Sequence, residues 1–164
     1  MSSILGNPVS PKIVDASPEP AGERRRTPAQ RNPRTKTVYL IARILLGLIF
    51  GVLGVNGFVP FMPTPPSIPP TAATFFGTMA VTHYSYLVFG AQVIAGFLLL
   101  FNRYVPLAIV TLAAILANIL AFHITMWPAS IFPMPVITTI LWFTVAWSIR
   151  SSFSPLFAKK VEPV

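Results

Sequence analysis

The sequence predicts an all-α fold: a bundle of four transmembrane helices, with a polar N-terminal tail and one short helix at the outer interface. Three observations predict it. Apolar residues make up 54% of the chain and charged residues only 10%, against about 25% charged in an ordinary soluble domain. Four apolar runs, at 38–58, 84–101, 104–126 and 132–149, match a bilayer crossing in length. At about 1.5 Å per residue they span roughly 27–34 Å, close to a hydrocarbon core of about 30 Å. The Lys and Arg residues are distributed unevenly between the segments that separate these runs. A backbone inside lipid must satisfy its own hydrogen bonds, so each run is read as a helix.

Residues 1–37 come first. They are polar and rich in proline, hold three of the four acids, and carry the run Arg24-Arg25-Arg26. Such a stretch buries too little apolar surface to offset the entropy of ordering it, so it reads as a disordered basic tail. The first apolar run starts only at Val38, and no small-x-small cleavage pattern follows it. It is therefore expected to be retained as a span rather than removed as a signal peptide.

The first span, 38–58, carries Gly47, Gly51 and Gly54 on one side. Small residues let backbones approach in lipid, where the hydrophobic effect gives helices no reason to associate. Ala91, Ala95 and Gly96 in the second span and Ala113, Ala117 and Ala121 in the third read the same way, as helix-packing faces, with homo-oligomer contact as the alternative. The connection 59–70 holds six prolines in twelve residues and is expected to be extended and stiff. Thr71 then reads as the N-cap of a short helix over 72–82, with Phe75, Phe76 and Met79 turned toward the bundle or lipid. Pro106, Pro133 and Pro135 fall in the first turns of the third and fourth spans, where a missing N–H costs little. Residues 151–164 read as a C-terminal tail.

Charge sets the expected orientation. The segment 59–83 and the turn 127–131 contain no Lys or Arg, whereas Arg103 lies in the middle turn and Arg150, Lys159 and Lys160 near the C-terminus. Four spans with both termini in the cytoplasm put all these cations on one side. Tyr39, Tyr104 and Trp147 then fall at the inner interface, and Tyr84, Tyr86 and Trp127 at the outer one.

The same residues exclude several functions. The net charge of +8 sits beside apolar runs and lacks any nucleic-acid-binding motif, so it reads as an orientation signal and no nucleic-acid partner is expected. The absence of cysteine removes disulfides and thiol chemistry. No acid lies between Glu23 and Glu162, so there is no carboxylate pair, no Ser/His/Asp triad and no acidic proton wire. No catalytic residue is assigned, and an enzyme acting by itself is not the expected reading. Met62, Met79, Met126, Met134 and both histidines fall on the outer side. Thioether and imidazole suit Cu(I), but no close Met or His repeat accompanies them and no metal site is assigned.

The polar residues of the spans are the candidate ligand-binding residues: Asn56, Gln92, Asn118, His123 and Arg43. Asn56 lies near the outer end of the first span, Gln92 and Asn118 at a shared level roughly 12 Å deep, and His123 roughly 5 Å in. Gln92 and Asn118 are placed to hydrogen-bond across helices as structural glue. The functional reading is an outward-opening pocket with a polar floor, suited to a small lipophile such as a quinone, with His123 bonding a carbonyl or moving a proton. Arg43 reads as snorkelling to the inner surface, or as an anchor for a lipid phosphate or anionic partner.

The stretches ARILLGLIFGVLGVNGFVPFMPTPP and GFLLLFNRYVPLAIVTLAAILANILAFH carry a resemblance. Through Ala42-Arg43, Asn56-Gly57-Phe58, Asn102-Arg103 with Val105-Pro106-Leu107-Ala108, and Asn118 with Phe122-His123, residues 38–150 resemble the DoxX family of small bacterial integral membrane proteins. The resemblance implies a four-helix bundle in the bacterial inner membrane and an association with respiratory or sulfur-compound oxidation. It makes a quinone the suggested ligand and a membrane redox protein the suggested partner, beside the lipids themselves, with no bound cofactor. Many family members carry Glu in the second span near the place Gln92 occupies here, which weakens any reading of proton-coupled chemistry. The expected function is an accessory subunit or lipophile-binding protein, and the alternatives are a direct quinone-linked oxidoreductase component or a small transporter or permeability factor.

Overall fold

A computed structural model of the chain describes residues 32–63, 65 and 67–157. The expected tail 1–37 lies outside them up to residue 31, as do residues 158–164 of the C-terminal tail. The described residues are helical, with no strand among them. In chain order they form α1 (Pro33–Asn56), α2 (Pro70–Val81), α3 (Tyr84–Leu100), α4 (Val105–Thr125), a 3-10 turn at Pro128–Ser130, α5 (Met134–Ser148) and a 3-10 segment at Arg150–Phe157.

Local chemistry explains where the helices depart from the expected bounds. Residues 33–37, expected in the tail, belong to α1. Asn32 caps that helix by accepting a hydrogen bond from the Arg34 backbone N–H at 3.1 Å, and Pro33 opens the first turn. Helix α2 begins at Pro70, and Pro69 rather than Thr71 occupies its N-cap. The Thr71 hydroxyl instead donates to the Met126 carbonyl at 3.5 Å, tying α2 to the end of α4. A tight turn separates α3 from α4, with Asn102 and Tyr104 at φ of 55° and 49°. Arg150–Phe157, expected in the C-terminal tail, continues beyond α5 as 3-10 turns.

Helices α1 and α4 are each long and apolar enough to cross a membrane. Helix α2 meets α3 at 89°, and α5 meets its 3-10 extension at 77°; if each bent pair is one span, the total reaches four. The surface is also that of a membrane protein. Ile41, Leu48, Ile94, Leu107, Ile140 and Phe143 all point outward, a continuous apolar exterior of a kind soluble monomers rarely present.

Helix α1 packs against α3 and α5, and α4 packs against α3 and α5, so the four longer helices close a ring. Helices α1 and α3 run antiparallel, with Gly47 beside Gly96, Gly54 beside Val93 and Gly57 beside Phe89. The approach at Gly96 is the closest of backbone to backbone: a Cβ there would lie 2.6 Å from the Gly51 nitrogen. The small residues of the first two spans thus meet within the chain. Those of the third behave differently, because Ala117 and Ala121 are exposed.

The largest fully buried side chains gather toward one end of the ring. Leu46, Phe50, Leu99, Ile109, Leu112 and Val145 are fully buried in a single cluster toward the Arg103 end. The Trp142 indole N–H, half-buried between helices, donates to the Ile109 carbonyl at 2.9 Å and joins α5 to α4 there. The other half, toward the segment 57–83, is hollow between α3 and α4.

Candidate functional site

The hollow is a cavity of about 380 Å³, within the range of small-molecule sites. Gln92 reaches it from α3, and Asn118 and His123 from α4. Phe75, Phe76 and Met79 of α2 close it on one side, and Trp127 lies at its rim beyond the end of α4. Helix α2 is held there by rings. Phe122 of α4 lies 5.4 Å from Phe75 and 5.0 Å from Phe76, centroid to centroid. Only Ala72 of α2 is fully buried, so these aromatic contacts and the Thr71 bond are its main attachments to α4.

Three of the five expected site residues therefore share one cavity, and their hydrogen bonds define what each still offers. Asn118 donates its Nδ2–H to the Ala114 carbonyl at 2.9 Å. His123 directs Nδ1 at the Ile119 carbonyl, 2.7 Å away. Both bonds run back to the preceding turn of α4, so neither side chain crosses to α3. The expected Gln92–Asn118 bond is not formed. Gln92 is only 6% exposed and has no hydrogen-bond partner among the described residues. The amide is open to the cavity, so its hydrogen-bonding capacity is available to whatever occupies the hollow.

The other two expected residues lie elsewhere. Asn56 organises the chain leaving α1: its Oδ1 accepts from the backbone N–H groups of Phe61 at 3.0 Å and Met62 at 2.8 Å. Arg43 lies in the packed half and does not snorkel. It is 6% exposed, and its Nη1 donates to the Leu99 carbonyl and, at 3.4 Å, to that of Leu100. These are among the last carbonyls of α3, where the helix dipole is negative and a cation is favoured. The Tyr39 ring lies 6.0 Å away. Among the described residues the Arg43 Nε has no partner and no carboxylate occurs.

Sequence reasoning placed Phe75, Phe76 and Met79 toward the bundle or lipid, but left Phe122 and Trp127 out of the site. The signal for Phe122 is its position beside His123 and one helical turn after Asn118. Of the four methionines on the expected outer side, only Met79 lines the cavity. His83 stands apart at the turn between α2 and α3, exposed, with Nδ1 3.2 Å from the Val81 carbonyl.

Comparison of the chain with protein-family models, curated proteins and solved structures finds no match.

Proposed function

We propose that this chain is a DoxX-like four-span membrane protein that binds a small lipophile in the cavity between α2, α3 and α4. The observation that carries the reading is Gln92, whose amide has no hydrogen-bond partner among the described residues and faces a mostly aromatic and aliphatic hollow. A ligand in the hollow can bond this amide, as a few placed polar groups do in small-molecule sites. Helix α2, at 89° to α3, suits a helix lying in the interface plane and roofing the cavity.

The orientation with both termini in the cytoplasm of a bacterial inner membrane belongs to the same proposal. It is supported by Arg34, Lys36, Arg103 and Arg150, which flank the packed half, while the segment 59–83 beside the cavity has no Lys or Arg. The cavity then faces away from the cytoplasm. The function that fits is an accessory or carrier role beside a lipophile-using membrane enzyme. A quinone reaction run jointly by His123 and Arg43 has no geometric support, because Arg43 is committed to the α3 terminus in the opposite half.

The test is gentle purification in lipid nanodiscs, solvent extraction and mass spectrometry of the extract. Wild-type protein is expected to carry a lipophile at near-stoichiometric amount, and Gln92→Leu to lose most of it. Equal recovery from both proteins, or none from either, overturns the reading.

A further inference from the structure

The hydrogen bonds that Asn118 and His123 already make specify the chemistry of the ligand; this rests on the cavity being a ligand site. A backbone carbonyl oxygen can only accept. The His123 nitrogen facing the Ile119 carbonyl therefore carries the hydrogen, and in the neutral ring the remaining Nε2 is an acceptor. Asn118 is fixed in the same way: one hydrogen of its NH₂ goes to the Ala114 carbonyl, which leaves the second hydrogen and the acceptor Oδ1. The α4 wall thus presents two acceptor atoms, His123 Nε2 and Asn118 Oδ1, beside one remaining amide hydrogen. On the α3 wall, Gln92 keeps its whole amide, with two donor hydrogens and an acceptor oxygen.

A ligand whose polar atoms are all acceptors, such as a quinone, ketone or ester, finds donors in Gln92, the second Asn118 N–H, the Tyr84 hydroxyl and the Trp127 indole, but leaves His123 Nε2 and Asn118 Oδ1 without a hydrogen. A hydroxyl satisfies both walls. Its hydrogen goes to His123 Nε2 or Asn118 Oδ1, and its oxygen accepts from Gln92. The walls hold neither a carboxylate nor a Lys or Arg, so the hydroxyl compound is uncharged. The rings of Phe75, Phe76 and Phe122 favour a flat aromatic body over a branched aliphatic one. We infer that the cavity selects a neutral lipophilic phenol, a class that includes the reduced, quinol form of a quinone, in preference to compounds that offer only carbonyl or ether oxygens.

Two probes of nearly one shape isolate the hydroxyl: 4-hexylphenol and its methyl ether, 4-hexylanisole. Binding of each to the full chain in phospholipid nanodiscs is followed by fluorescence of Trp127, with Trp142 and Trp147 replaced by Phe, and by equilibrium partition against empty nanodiscs. The phenol is expected to bind at least about tenfold more tightly than the ether. Asn118→Leu combined with His123→Phe is expected to reduce that ratio to about twofold or less by weakening the phenol alone. Equal binding of the two probes by wild-type protein, abolished by Gln92→Leu, overturns the phenol assignment and leaves the cavity as a lipophile site. Binding of neither probe above the empty-nanodisc level overturns both.

Discussion

Gln92 and Asn118 line one cavity from neighbouring helices and do not bond to each other: Asn118 turns its amide nitrogen back to the Ala114 carbonyl, and Gln92 bonds no other described residue. Had they paired, the two amides would have satisfied one another and locked α3 to α4. Apart, they leave hydrogen-bonding capacity at the wall of a hollow whose lining is otherwise mostly apolar. That capacity is what the proposed ligand would use.

Gln92→Leu should abolish ligand retention without lowering stability. Leucine is close to glutamine in volume, and the amide it removes bonds no described residue. Thermal unfolding of ligand-free protein in nanodiscs, followed by tryptophan fluorescence, should show a midpoint no lower than that of wild type. A lower midpoint would mean that Gln92 makes a structural bond to another group.

The contact between α1 and α3 makes a sharper prediction, because two glycines in it differ. A Cβ at Gly96 would sit 2.6 Å from the Gly51 nitrogen and 2.8 Å from its Cα, both backbone atoms that cannot rotate away. A Cβ at Gly51 meets nothing within 4 Å. Gly96→Ala should cost about 1–3 kcal/mol by forcing the helices apart, and Gly51→Ala should be neutral or slightly stabilising. Equal effects of the two substitutions on thermal stability would contradict the helix register described here.

These two helices show how far the sequence could be read. The apolar runs gave the helices to within a few residues, because a span must be both apolar and long. Gly47, Gly54 and Gly96 marked their own interface, since close approach in lipid needs small residues. Asn118 and His123 are roughly 140° apart on a helical wheel, yet both line the cavity, which is wide enough to be reached from either side of the α4 face. Arg43 misled for a related reason. Its depth in the run suggested snorkelling, but the competing partner, the carbonyl end of α3, is set by tertiary packing and has no local signature.

Arg43→Ala should destabilise the packed half without touching the site. The substitution removes the bonds to the Leu99 and Leu100 carbonyls and the buried stem of the side chain, a loss of about 2–4 kcal/mol. Arg43→Lys should retain part of this, since it keeps a cation near the negative helix end but not the planar reach of the guanidinium. Lipophile binding by the folded fraction should equal that of wild type for both variants. A loss of binding that tracks charge rather than stability would place Arg43 in the site after all.

Phe122→Ala should act on α2 before it acts on the whole fold. Phe122 alone of the α4 rings contacts both Phe75 and Phe76, and α2 otherwise contributes little buried surface beyond Ala72. Removing the ring deletes both aromatic contacts, each worth roughly 0.5–1.5 kcal/mol beyond its area, so the helix should open locally. Hydrogen–deuterium exchange is the direct readout: the amides of 72–81 should exchange about ten- to a hundredfold faster, and those of Leu46, Leu99 and Leu112 in the packed half should change little. Ligand added to saturation should restore part of the protection in α2, because the proposed site lies between that helix and α4. Uniform loss of protection across all the helices would show instead that α2 and the bundle unfold as one unit, and that the roof of the cavity is not a separable element.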